Sequence, residues 1–167
     1  MAEDSTPKPS DARGDAHMID VGAKPITRRR ALAEAYVTVG RAIAARIERD
    51  GGLAKGNVLE TARLAGIMAA KRTASLIPLC HPIPLDAIEV QADLAGDRVR
   101  IQASVRAEAR TGVEMEALTA AAVAALTVYD MVKAAARGVE IASVRLLQKE
   151  GGASGRWTRQ EPADAPD

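Results

Sequence analysis

The segment Leu76-Ile-Pro-Leu-Cys-His-Pro-Ile-Pro-Leu85 sets three prolines around a Cys80–His81 pair. Proline fixes φ and removes a donor, so the segment is extended and stiff. A stiff platform suits a site, because catalytic groups must be held to within a fraction of an ångström. The plain reading of His81 is an incidental histidine in a buried Pro-rich connector, since a single His most often serves structure or surface. Cys80 alone reads more simply as a small buried hydrophobe than as a nucleophile. A second segment, Thr111-Gly-Val-Glu-Met-Glu116, puts two carboxylates at a helix start. Thr111 with Glu114 fits a capping box, and acids suit the positive end of a helix. The same pair can also move protons or hold a guanine-like edge. Asp130 and Lys133, three apart on a helix, make either a solvated ion pair or a couple that shifts both pKa values.

Cations are spread along the chain. Lys55 lies in the Gly-containing loop Asp50-Gly-Gly-Leu-Ala-Lys-Gly-Asn57, expected to be mobile, just ahead of a helix N-terminus where anions bind. The spacing is not that of a P-loop. Lys71, Arg72, Arg28 to Arg30 and Lys149 each fit a solvated face, and several together can converge on a polyphosphate. With only His17 and His81 and one Cys, ligand spacing for a metal is missing.

The elements that position these residues follow from periodicity. Ala31 to Val39 alternates as a strand, with Ala35, Val37 and Val39 on one face and Glu34, Tyr36 and Thr38 on the other. Arg41 to Arg49 is a short helix ended by Asp50-Gly51-Gly52. Asn57, with Glu60 three residues on, starts a helix running to about Ser75, with Leu59, Ala62, Gly66, Ile67 and Ala70 facing a sheet. Ile88 to Leu94 and Arg98 to Ala107 alternate around Ala95-Gly96-Asp97 and predict a hairpin. A long helix from about Val113 to Ala136 carries a stripe of Leu118, Ala122, Ala125, Tyr129 and Val132. Val139 to Gln148 is the last strand. Merging the first two helices gives β-α-β-β-α-β: an α+β, ferredoxin-like antiparallel sheet with helices on one face and one face left open.

Residues 1–17 and 152–167 read as polar tails around a single domain over 18–151. Across 167 residues, Lys+Arg 23 against Asp+Glu 22 leaves a net charge of +1, so no basic field draws nucleic acid or anionic membrane. Phe is absent, with one Trp and two Tyr, which argues against base stacking and for a core of Ala, Val, Leu, Ile and Met. Such small side chains bury little area each, so contacts between copies are expected to add burial. One Cys excludes an internal disulfide framework. No apolar run approaches a membrane span and no secretory leader is seen, so the expectation is a soluble cytoplasmic protein.

The order of HMIDVGAKPITRRRA, AGIMAAKRT, LIPLCHPIPL, TGVEMEALTAAAVAALTVYDMVKA and VRLLQKEGGASG resembles the MoaC-type cyclic pyranopterin monophosphate synthase family of molybdenum cofactor biosynthesis. The resemblance covers about Ala16 to Gly155. It implies a ferredoxin-like fold and a homohexamer, a trimer of dimers with sites at subunit interfaces. It implies conversion of 3′,8-cyclo-7,8-dihydroguanosine triphosphate to cyclic pyranopterin monophosphate and pyrophosphate, with no resident cofactor or metal; whether Mg²⁺ accompanies the triphosphate is left open. By motif it makes Asp130 the catalytic acid, with Lys133 beside it and Lys55, His81 and Glu114 in the chemistry. Leu79, Cys80, His81, Met115 and Glu116 would bind substrate, and Arg29, Lys71 and Lys149 occupy basic positions. Two other readings stand beside it: a non-catalytic nucleotide-binding or scaffold protein, and, more weakly, an RNA-binding domain.

Overall fold

A computed structural model describes residues 16–160. The strands are β1 (Thr27–Thr38), β2 (Gly52–Leu53), β3 (Gly56–Asn57), β4 (Ala87–Ala95), β5 (Arg98–Ala109), β6 (Glu140–Glu150) and β7 (Arg156–Thr158). The helices are α1 (Arg41–Asp50), α2 (Val58–Ala70), α3 (Thr73–Leu76) and α4 (Glu114–Val132). Five strands form one antiparallel sheet in the order β4-β5-β1-β6-β7, and β2-β3 is a separate small ribbon. The architecture is α+β, with α2 and α4 packed on each other and on the sheet.

The period-two pattern of β1 decides which face is covered. Ala31, Ala33, Ala35 and Val37 are buried and lie opposite Val105, Ala103, Ile101 and Val99 of β5. Ala31 and Ala35 face the larger Val105 and Ile101, while Ala33 and Val37 face residues of their own size. The helices answer in kind. A Cβ added at Gly66 of α2 would lie 3.0 Å from the Ala120 carbonyl oxygen and 3.3 Å from Ala124 Cβ of α4. Glycine there lets two backbones approach closely, which offsets its cost inside a helix.

Three expectations change with the side chains in place. The buried face of α4 is Ala117, Ala120, Ala121, Ala124, Ala125, Val128, Met131 and Val132, whereas Tyr129 is exposed. The apolar signal runs around most of the helix, so periodicity alone did not fix its rotation. By length and composition α4 is also long and apolar enough to cross a membrane; its alanines are instead buried against sheet and helix. Glu34, expected on the outward face, is 1% exposed because Arg100 and Arg145 lie over it at 3.0 and 2.7 Å. Long arginine stems can cover a carboxylate while their heads stay wet.

Boundaries shift as well. The helix expected to reach Ser75 ends at Ala70 and resumes as α3. Strand β1 starts four residues early and β6 runs two further. Part of the expected C-terminal tail is ordered: Arg156, Trp157 and Thr158 pair with Glu150, Lys149 and Gln148. Gly151 and Gly152, at φ +102° and +71°, make the return possible. Residues 1–15 and 161–167 of the expected tails lie outside the described residues.

Candidate functional site

The two ends of α4 carry two separate groups of candidate residues. At the C-terminal end, Asp130 is clamped between two amines. Lys133 Nζ reaches Oδ1 at 2.7 Å and Lys55 Nζ reaches Oδ2 at 2.6 Å. Lys55 also donates to the Asp130 carbonyl oxygen at 2.9 Å. The ribbon β2-β3 presents Lys55 at its turn. That turn is tied to α4 by these bonds, so it is not the free loop expected from its glycines. Asn57 caps α2 by accepting from the Glu60 amide at 3.0 Å, as the sequence predicts, which fixes where the ribbon meets the helix. The Lys133 ammonium and then Lys55 hold the Asp130 carboxyl down to about 2, and Asp130 in turn raises Lys133.

At the N-terminal end lies a cavity of about 420 Å³. Leu79, Cys80, His81, Glu114 and Met115 line it together with Thr111 and Gly112. The proline-rich segment supplies the first three after α3 ends. Glu114 starts α4, but its helix has Val113 at the cap and no side-chain cap bond, so the expected Thr111–Glu114 capping box does not form. Glu114 pairs instead with Lys149 of β6 at 3.2 Å. Its carboxylate lies over Gly112, where a Cβ would collide with it.

Glu116, two residues further along α4, is 3% exposed and accepts from the Cys80 thiol at 3.7 Å. Its second carboxylate oxygen is buried without a partner. Burial pushes the Glu116 carboxyl above the usual range despite the backbone and thiol hydrogen bonds. Burial also pushes up the Cys80 thiol, with Glu116 adding to it, which suits a neutral donor rather than a nucleophile.

A raised acid in the folded state favours folding below its unfolded pKa and loses that advantage as pH rises through the folded value. Glu116→Gln is therefore expected to raise the unfolding midpoint at pH 7 more than at pH 3.5. Thermal unfolding at the two pH values checks this, and an equal shift at both would contradict it.

The remaining basic candidates are dispersed. Arg29 is spent on main chain, with Nε and Nη2 donating to the Ala109 and Arg110 carbonyl oxygens, each at 3.3 Å. Lys71 lines a different cavity of about 320 Å³ together with Thr73, Ser75 and Glu116. A cavity of about 470 Å³ is lined by Arg28, Arg29, Arg30 and Arg106, apart from the other basic candidates. Among the described residues no group of three or more His, Cys, Asp and Glu is placed to hold a metal.

Sequence reasoning missed one wall of the cavity that holds His81 and Glu114. His17, Ile19, Val21 and Lys24 line it from a segment without regular structure. That segment has no hydrophobic period, and its polar tethers are invisible in sequence.

The two groups cannot meet within one chain. Glu114 and Asp130 are sixteen residues apart on one helix, about 24 Å along its axis at the helical rise.

A family profile described as the MoaC family matches residues 18–152. The chain is similar to a cyclic pyranopterin monophosphate synthase of Thermomicrobium roseum, 54% identical over 90% of this chain and 92% of that protein. It is similar to one from Cereibacter sphaeroides (strain ATCC 17029), 54% identical over 88% of this chain and 93% of that one. The same name belongs to a Brucella ovis relative, 52% identical over 92% of this chain and 93% of that protein.

Proposed function

The chain belongs to the MoaC family, a family of molybdenum cofactor biosynthesis, and we propose how it performs the synthase reaction for which its relatives are named. The substrate in this reading is 3′,8-cyclo-7,8-dihydroguanosine triphosphate, and the products are cyclic pyranopterin monophosphate and pyrophosphate. The observation that carries it is the Lys55–Asp130–Lys133 cluster. Exposed ion pairs add little to stability, so folding gives no reason for two amines to converge on one exposed carboxylate. A triphosphate gives them a reason.

The chemistry divides between the two ends of α4. Opening the purine five-membered ring and rebuilding it as a pterin needs protons taken from and returned to ring atoms. His81 and Glu114 are suited to this, with Leu79, Cys80, Met115 and Glu116 around the base. A ribose-derived hydroxyl then attacks the α-phosphorus. Its O–P bond forms as the bond to the bridging oxygen of the β-phosphate breaks. The hydroxyl proton leaves to a base, and pyrophosphate carries off the negative charge. Lys55 and Lys133 offset that charge; Arg29, Lys71 and Lys149, dispersed within one chain, are further cations that reach the phosphates only where copies of the chain meet. No step here uses a resident cofactor or metal ion, and Mg²⁺ enters only if the triphosphate brings it.

The reading takes the enzyme to be a cytoplasmic phosphorus–oxygen lyase with a single catalytic domain over 18–151. The family profile's span of 18–152 supports that boundary. The β4-β5-β1-β6 strand order, with two helices packed on the sheet, supports a ferredoxin-like fold. The separation of the two groups along α4 supports sites shared between copies in a homohexamer, a trimer of dimers. Neither nucleic acid nor membrane is a partner. The test is pyrophosphate release from the cyclised dihydro-GTP by the purified oligomer. Stoichiometric release with a pterin product is expected; binding without release would move the chain to the nucleotide-binding scaffold reading.

A further inference from the structure

Among the described residues, two side chains from far along the chain tie residues 19–24 of the wall that sequence reasoning missed to the domain. A His81 ring nitrogen, Nε2, lies 2.8 Å from the Ile19 carbonyl oxygen. Arg110 Nη1 donates to the carbonyl oxygens of Gly22 and Lys24 at 2.5 and 2.6 Å. Within the segment, Gly22 N–H bonds Asp20 Oδ1 at 2.7 Å and Lys24 N–H closes a turn onto Val21 O at 3.0 Å. All three long-range bonds end on main-chain oxygens, so they fix the path of residues 19–24 whatever their side chains. That path carries Ile19, Val21 and Lys24 into the lining of the cavity that holds His81 and Glu114.

We infer that Arg110 is a positioning residue: it straps residues 19–24 across the cavity so that they form one wall of the ligand site. Arg110 is itself braced. The Arg29 guanidinium donates to the Ala109 and Arg110 carbonyl oxygens and fills the space where a Gly152 side chain would stand. The strap also meets the His81 ring at the Ile19 carbonyl oxygen. A carbonyl oxygen only accepts, so Nε2 carries the proton and Nδ1 is the one nitrogen of the neutral ring with a lone pair. Arg110 touches no reacting atom; it acts through the strap alone.

The inference rests on the synthase reading for the identity of the ligand, and its test separates the two. Arg110→Ala and Arg110→Lys are compared with wild type in the full oligomer. In Arg110→Ala the amides of Gly22 and Lys24 should exchange at least about tenfold faster. Exchange in the sheet and the unfolding midpoint should stay as they are. KM for the cyclised triphosphate should rise by about the same factor with kcat within about twofold, and lysine should restore part of both effects. Unchanged amide exchange, or faster exchange with an unchanged KM, would overturn the inference. So would a fall in kcat and midpoint together that lysine does not rescue. If wild type releases no pyrophosphate, the synthase reading fails alone. Amide exchange and equilibrium dialysis with GTP as the probe then decide the strap: loosening with weakened GTP binding supports it, and loosening with unchanged binding refutes it.

Discussion

Asp130→Asn should lower pyrophosphate release by about 10²–10⁴-fold while leaving the chain folded. The carboxylate is exposed at the end of α4 and its two partners are half-exposed lysines, so little of the fold depends on it. Its depressed pKa makes a further point. At about 2, held there first by Lys133 and then by Lys55, it is ionised throughout the physiological range. A group that far from neutrality is a poor proton donor in the resting chain. In the proposed reaction it becomes a better one once the lysines turn to the triphosphate. Before that it serves to hold two ammoniums at one point.

The sign of the pH effect follows. A carboxyl depressed on folding adds stability above its unfolded pKa, near 3.9, and loses it as pH falls toward about 2. Any stability difference between wild type and Asp130→Asn should therefore vanish in strong acid. Lys55→Met should raise the Asp130 titration, measured by carboxyl NMR, and lower turnover. Asp130→Asn with undiminished turnover would take Asp130 out of the chemistry.

Much of this arrangement was legible in the chain. The alternation in β4 and β5 and the turn between them fixed that hairpin to within two residues, because period two has only two phases. The Asn57 cap was readable for the same reason: it is a local bond between neighbours. What failed were features decided by distant partners. Periodicity could not orient α4, whose alanines make nearly every face acceptable, so Tyr129 was placed inward. Thr111–Glu114 looked like a capping box until Lys149, from another strand, took the carboxylate. Glu34 looked solvated until two arginines from neighbouring strands covered it. The strap of residues 19–24 has no period at all and is held by His81 and Arg110, far along the chain. Candidate residue types were thus readable. Their division into two groups was not, because it depends on the length of one helix.

That division leads to the second large effect. A proton carrier works within about 3 Å of the atom it serves, yet about 24 Å of helix separates Glu114 from Asp130. In the proposed reaction two copies of the chain contribute to each site, one group from each. Consider Asp130→Asn and His81→Ala, each expected to be nearly inactive alone. In a dimer related by a two-fold axis, each copy lends its Asp130 end to one site and its His81 end to the other. A mixed dimer of the two variants then holds one site with both lesions and one with none. Random reassortment on co-expression makes half the dimers mixed, so about a quarter of all sites are intact. Pyrophosphate release should recover to about a quarter of the wild-type rate, at least tenfold above either variant alone. If each site were built within a single chain, every site would carry a lesion and mixing would restore nothing. Recovery thus measures how the site is divided between chains, independently of which proton each residue moves.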